Sequence, residues 1–170
     1  MEYLLVDGYN VINAWSNVFK LDTESLEDCR DRLLNILSNY QGYKKINIIV
    51  VFDAHMVKKG QKKKEKFDNL QIIYTKESQT ADNYIERFVY EKARENIVRV
   101  VTSDYLEQTI VMSNGGIRVS PREFWEDIED TIKKTKQKIQ HKERVDRSNT
   151  IMSNINDELL KRLEKMRRGR

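Results

Sequence analysis

Four aspartates stand where a parallel β-sheet would bring them together. Asp7, Asp53 and Asp104 each fall at, or just past, the end of an apolar run, and Asp82 opens a helix-forming segment entered through Gln79-Thr80-Ala81. In open α/β sheets, ligand sites lie outside the carboxyl ends of the strands. The four acids are therefore expected to converge at one sheet edge. Crowded carboxylates repel one another and rise in pKa unless a cation neutralises them. An all-oxygen donor set without cysteine favours Mg²⁺ or Mn²⁺ over zinc. Asn10, Thr102 and Ser103 lie beside these acids in the sequence and are expected to orient the carboxylates. Taken singly, each acid has a plainer role. Asp7-Gly8 is a turn dipeptide, Asp82 suits the positive end of a helix, and Asp104 suits a helix cap. It is the placement of all four that points to a metal.

The elements that must position them are legible as alternating strands and helices. Tyr3–Val6 reads as a buried strand ending in the turn Asp7-Gly8. Ile46–Phe52 (INIIVVF), Leu70–Tyr74, Ile97–Val101 and Ile117–Val119 read as four more strands. Helices are expected over Ser25–Tyr40, closed by Gly42, over Thr80–Arg94, over Leu106–Ser113, and from Pro121 with Ser120 as its cap. Strands alternating with helices imply a parallel sheet with right-handed crossovers. From about Lys133 the strand signal stops, and Asn154–Met166 carries apolar residues at helical spacing. Residues 1–132 are thus expected to form the α/β domain and 133–170 a basic, largely helical extension.

Charge separates the same two parts. Charged residues make up 34% of the 170, against about 25% in an ordinary globule. Residues 133–170 hold 13 Lys/Arg and 5 Asp/Glu, a net +8, whereas the preceding 132 hold 18 and 22. A basic tail on a mildly acidic body suits a nucleic-acid partner if some of the body's carboxylates hold a metal. Lys58, Lys59, Lys62, Lys63, Lys64 and Lys66 crowd a polar loop directly after the strand that ends at Asp53. They are read either as a solvated surface or as a phosphate clamp that guides a polyanion to the metal.

Other chemistries lack their residues. One cysteine, Cys29, excludes a disulfide framework and cysteine-based zinc sites. The two histidines, His55 and His141, are far apart in the sequence, so a metal-free histidine pair is hard to build. His55, near the proposed site, reads as a local hydrogen-bonding or RNA-contact group. No Gly-x-Gly-x-x-Gly follows a strand and no Walker motif occurs, so no nucleotide cofactor is expected. No apolar run approaches the roughly 20 residues that span a bilayer, and the start MEYLLVDGYN is unlike a signal peptide. No membrane partner and a cytoplasmic location are expected.

The motifs resemble those of a known family. Val6-Asp7-Gly8-Tyr9-Asn10-Val11-Ile12, then Val51-Phe52-Asp53-Ala54-His55, then Thr80-Ala81-Asp82-Asn83-Tyr84-Ile85, and last Val101-Thr102-Ser103-Asp104 follow in order the motifs of NYN domains. These are relatives of PIN-domain nucleases, and the chain is most similar to the YacP-like NYN ribonucleases. The resemblance runs from Met1 to the basic tail. The second motif carries Ala54 where the family pattern has glycine. The resemblance implies a PIN-like three-layer α/β/α sandwich around a central parallel sheet, and a metal-dependent endoribonuclease. Asp7, Asp53, Asp82 and Asp104 would be the acidic site and Asn10 its polar support. It further implies messenger RNA in the A site of the translating ribosome as substrate, in mRNA decay.

Two rivals stand beside this reading. A phosphatase of the haloacid-dehalogenase type also opens with a strand and an aspartate. It needs a second aspartate two residues on, where Tyr9 stands. A non-catalytic RNA- or ribosome-binding module would use the lysines alone, and its retained carboxylates would repel RNA.

Overall fold

The computed structural model describes residues 1–54 and 64–169. Its element order is β1 (Glu2–Asp7), α1 (Gly8–Ala14), α2 (Leu26–Lys44), β2 (Asn47–Phe52), β3 (Lys64–Phe67), β4 (Leu70–Tyr74), α3 (Ala81–Lys92), β5 (Ile97–Val101), α4 (Tyr105–Ser113), β6 (Ile117–Val119) and α5 (Pro121–Arg168). Contacts divide the chain into Met1–Glu129 and Asp130–Arg170.

The first unit is built on one six-stranded sheet in the order β3-β4-β2-β1-β5-β6. Five strands run parallel, and β3 pairs antiparallel with β4 at one edge. The strands are rich in β-branched residues because both faces are covered, as parallel sheets require. Alternate residues feed two separate cores. Leu4, Val6, Ile48, Val50 and Ile72 pack with α1, α2 and the start of α5. Leu5, Ile49, Val51, Val98 and Val100 pack with α3 and α4. The period-2 alternation of the strands thus makes three layers, α/β/α.

This topology sets the place of the site. The chain leaves β1 for β2 and β4 on one side, then crosses through α3 to β5 and β6 on the other. β1 and β5 are neighbours at the point where the strand order reverses, which is where open α/β sheets form their ligand crevice. The register levels Asp7 with Val51, and Val6 with Val101. The carboxyl ends of β1, β2 and β5 therefore finish side by side.

Several local features differ from the sequence reading. No turn separates β1 from α1, which begins at Gly8 itself. This abrupt start needs glycine, because a Cβ at position 8 would lie 2.2 Å from Cε1 and 2.6 Å from Cδ1 of the fully buried Phe52 ring. We expect Gly8→Ala to lower unfolding stability by about 1–3 kcal/mol, the usual cost of an overpacked core. A urea unfolding midpoint equal to that of the parent protein would refute this contact. Gly42 does not close α2. The helix runs on to Lys44, and Lys45 takes the left-handed cap conformation with φ 54°. The lysine-rich segment is not a loop throughout, since Lys64–Phe67 forms β3. Asp68, at φ 51°, turns the chain from β3 into β4, a backbone region that aspartate tolerates. Lys58, Lys59, Lys62, Lys63 and His55 lie outside the described residues.

Helix starts follow the expected chemistry. Ser120 and Glu123 form a reciprocal capping box at the start of α5 (both 3.1 Å). Thr80 caps α3 through the Asn83 N–H. In the second unit α5 is one continuous helix, without a separate segment over Asn154–Met166. Among the described residues, no helix is long and apolar enough to cross a membrane.

Candidate active site

Three helix N-termini meet the sheet edge, and each carries an acid. Asp7 ends β1 and precedes the first residue of α1. Asp82 is in the first turn of α3. Asp104 caps α4, its Oδ1 accepting the N–H groups of Leu106 (2.9 Å) and Glu107 (3.3 Å). That cap holds the first turn of α4 so that Glu107, in the same turn, reaches inward. Carboxylates at helix N-termini are favoured by the aligned peptide dipoles.

Carboxylate oxygens of Asp7, Asp82 and Glu107 all lie within 4.8 Å of one another. Glu107 is 2% exposed and Asp7 9%. Burial is the main cause that raises Asp7, to about 7, with Asp82 the strongest charged contributor and Asp53 and Asp104 behind it. The backbone N–H of Asn10 acts the other way. Burial likewise pushes Glu107 up to about 8. The Thr102 hydroxyl opposes the rise, and Asp7 and Asp82 add to it. At neutral pH a cluster so placed holds protons or a cation.

The residues around the trio are fixed by a short polar network. The fully buried Thr102 hydroxyl donates to Glu107 Oε2 (2.8 Å) and accepts the Asp104 N–H (3.2 Å). Gln108 Nε2 donates to the Thr102 carbonyl (2.6 Å). Asn10 Oδ1 accepts both the N–H (2.8 Å) and the hydroxyl (3.0 Å) of Ser103, tying α1 to the turn after β5. Asp53, just past β2, is held by its flanks. The Thr75 N–H donates to the Phe52 carbonyl (3.0 Å), and the Ala54 N–H donates to the Thr75 hydroxyl (3.1 Å). Tyr9 faces this side too. Burial raises its hydroxyl, Arg30 opposes that rise, and Asp53 reinforces it. Arg30 is itself buried, on α2.

The expected set is thus redistributed. Asp7 and Asp82 stand in the tight cluster, and Asp53 and Asp104 act on Asp7 from further out. Asn10, Thr102 and Ser103 form the supporting network. The residues that sequence reasoning missed are Glu107 and Arg30. Glu107 has a signal, an acid three residues after a capping aspartate at a predicted sheet edge. The same spacing is also an ordinary helix start, so it does not stand out. Arg30 has none, since it sits among the charges of an amphipathic helix.

The trio fits a divalent cation. Its donors are all oxygen, as hard cations require, and the buried Glu107 Oε1 has no hydrogen-bond partner among the described residues. Buried polar atoms are normally paired, and a cation would engage that oxygen.

Known proteins are similar to this chain over nearly its whole length. The YacP protein of Bacillus subtilis (strain 168) is 38% identical over 172 residues, covering 99% of this chain and 98% of that protein. A crystal structure of Rae1 (YacP) from Bacillus subtilis superposes with a TM-score of 0.71 at 37% identity, over 99% of this chain and 96% of that one. A mutant of the same protein gives 0.69 at 34% identity, over 81% and 80%. The YacP-like NYN domain matches residues 4–168, and the chain belongs to that family of nuclease-like proteins.

Proposed function

We propose that this protein is a metal-dependent endoribonuclease that hydrolyses RNA phosphodiesters, with messenger RNA in the ribosomal A site as substrate and mRNA decay as the outcome. The observation that carries the reading is the cluster of Asp7, Asp82 and Glu107, with Asp7 and Glu107 buried and Asp82 half-buried, at the switch point of a YacP-like NYN sheet. The ribosomal context is supported by the family resemblance.

Mg²⁺ or Mn²⁺ held by the trio, with Asp53 and Asp104 beside it, would supply an activated water and offset the charge that develops on the phosphate. The chain's own residues prepare that place. Thr102 fixes the Glu107 carboxylate, and the Asn10–Ser103 bonds hold α1 against the β5–α4 turn. Burial keeps bulk water from screening Asp7 and Glu107. The lysines from Lys58 to Lys66 and the basic segment beyond Lys133 offer phosphate contacts, whose contribution falls as salt rises. A purely RNA-binding module would gain nothing from three clustered carboxylates that repel its ligand.

The test is incubation of defined RNA with the protein, with and without ribosomes, in Mg²⁺ or Mn²⁺ and in EDTA, followed by end mapping. Cleavage is expected only with the metal, leaving 5′-phosphate and 3′-hydroxyl ends. Ends bearing 2′,3′-cyclic phosphate would mean that the 2′-hydroxyl attacks, and the hydrolytic reading would be abandoned. Cleavage that persists in EDTA would remove the metal from it.

A further inference from the structure

Beside the carboxylates lies a cleft of about 480 Å³ whose walls include Trp15, Asn17, Ser103, Gln108, Arg122 and Trp125. Pockets of this size ordinarily take small organic groups. Its inner wall is continuous with the acidic site. Ser103 lies between Thr102 and Asp104 and holds Asn10, and Gln108 follows Glu107 and bonds the Thr102 carbonyl. Its opposite wall is aromatic. Trp125 meets Trp15 edge to face at 4.9 Å between ring centroids. The Trp15 indole N–H is committed to the Pro121 carbonyl (2.8 Å) and that of Trp125 to Glu129 (3.0 Å). Both indoles are therefore fixed in orientation. The rim supplies charge and hydrogen-bonding capacity. The Arg122 side chain is 90% exposed and makes, among the described residues, a 3.5 Å surface pair with Glu126, a contact that contributes little. The Asn17 amide is exposed, with no side-chain hydrogen bond among the described residues.

An aromatic wall, an exposed guanidinium and an amide beside a phosphodiester-cleaving site match one kind of occupant. Single-stranded RNA is recognised by splayed bases that stack on aromatic or arginine planes and hydrogen-bond along their edges. We propose that this cleft is a nucleobase subsite. It receives the base of a nucleotide adjoining the scissile phosphate, with Trp125 and Arg122 as its gripping surfaces and Asn17 at the base edge. The proposal rests on the nuclease reading and adds a specificity pocket to it.

The molecule carries its own reporter, since Trp15 and Trp125 are its two tryptophans and both line the cleft. The experiment uses the full chain as Asp82→Asn, to suppress cleavage. A single-stranded 12-nucleotide RNA is followed by the anisotropy of a 3′-fluorescein and, unlabelled, by tryptophan emission. We expect saturable quenching with the same midpoint as the anisotropy curve. Trp125→Leu should weaken RNA binding by roughly 10-fold, as loss of a base–aromatic stack does. Arg122→Ala alters an exposed side chain and so tests the cleft without disturbing its packing; it should weaken binding by about 5-fold. RNA that binds while tryptophan emission stays constant, or an unchanged affinity in Arg122→Ala, would overturn the subsite. The two readings fail separately. Wild-type protein that quenches but never cleaves refutes the nuclease and keeps the subsite, whereas cleavage with silent tryptophans does the reverse.

Discussion

Asp7→Asn, Asp82→Asn and Glu107→Gln are each expected to lower RNA cleavage by about 100-fold or more, the usual effect of removing a group that organises a catalytic metal. All three should fold. Each substitution keeps the side-chain shape and removes a group whose ionisation would add negative charge to a crowded set, so the melting temperature should hold or rise. Asp104→Asn should cost less, because asparagine also caps helices well and Asp104 acts on the trio from outside it. Initial rates on one defined RNA, with thermal melts alongside, decide the matter. Near wild-type rates in folded Asp7→Asn and Asp82→Asn proteins would discard the acidic site. A silent Glu107→Gln beside inactive aspartate variants would return the site to the four aspartates and leave Glu107 a structural role.

The contrast between those four aspartates and the observed trio shows what the sequence could convey. Strands β2, β4 and β5 are legible because sheet burial on both faces demands β-branched runs. Once their ends are known, so is the edge that Asp7, Asp53 and Asp104 share. How far each side chain reaches into the crevice is a matter of helix phase, and phase is set by caps. The sequence allows Asp104 as either a ligand or a cap. It caps α4, and by doing so it turns Glu107 inward. Strand β3 is hidden for a related reason. Lys64–Phe67 lies at a sheet edge, where natural strands carry charge to discourage further pairing, so it looks like loop. Gly42 misleads because glycine often ends helices. Here the left-handed position falls three residues later, on Lys45.

Without a bound cation the protein should lose stability as pH rises. Asp7 and Glu107 stand at about 7 and about 8 in the folded chain, above ordinary values of 3.8 and 4.5. Between those limits the folded state binds more protons than the unfolded one, so unfolding becomes easier with each step up in pH. The stabilisation is complete below the unfolded values and gone once pH passes about 8. Asp82, Asp53 and Asp104 face the same space and add to the repulsion, while the Asn10 N–H and the Thr102 hydroxyl temper it. A divalent cation should reverse the trend, since it binds the ionised cluster and competes with protons for it. A ligand at 100 times its Kd adds about 2.7 kcal/mol. Thermal melts at about pH 5 and about pH 8.5, with Mn²⁺ and with EDTA, test both parts. In EDTA the melting temperature should fall between the two pH values, and Mn²⁺ should raise it at the higher pH far more than at the lower. In Glu107→Gln both the pH slope and the Mn²⁺ shift should shrink. A flat profile in EDTA together with an equal Mn²⁺ shift at both pH values would mean that the buried carboxylates are neither strained without the cation nor its ligands.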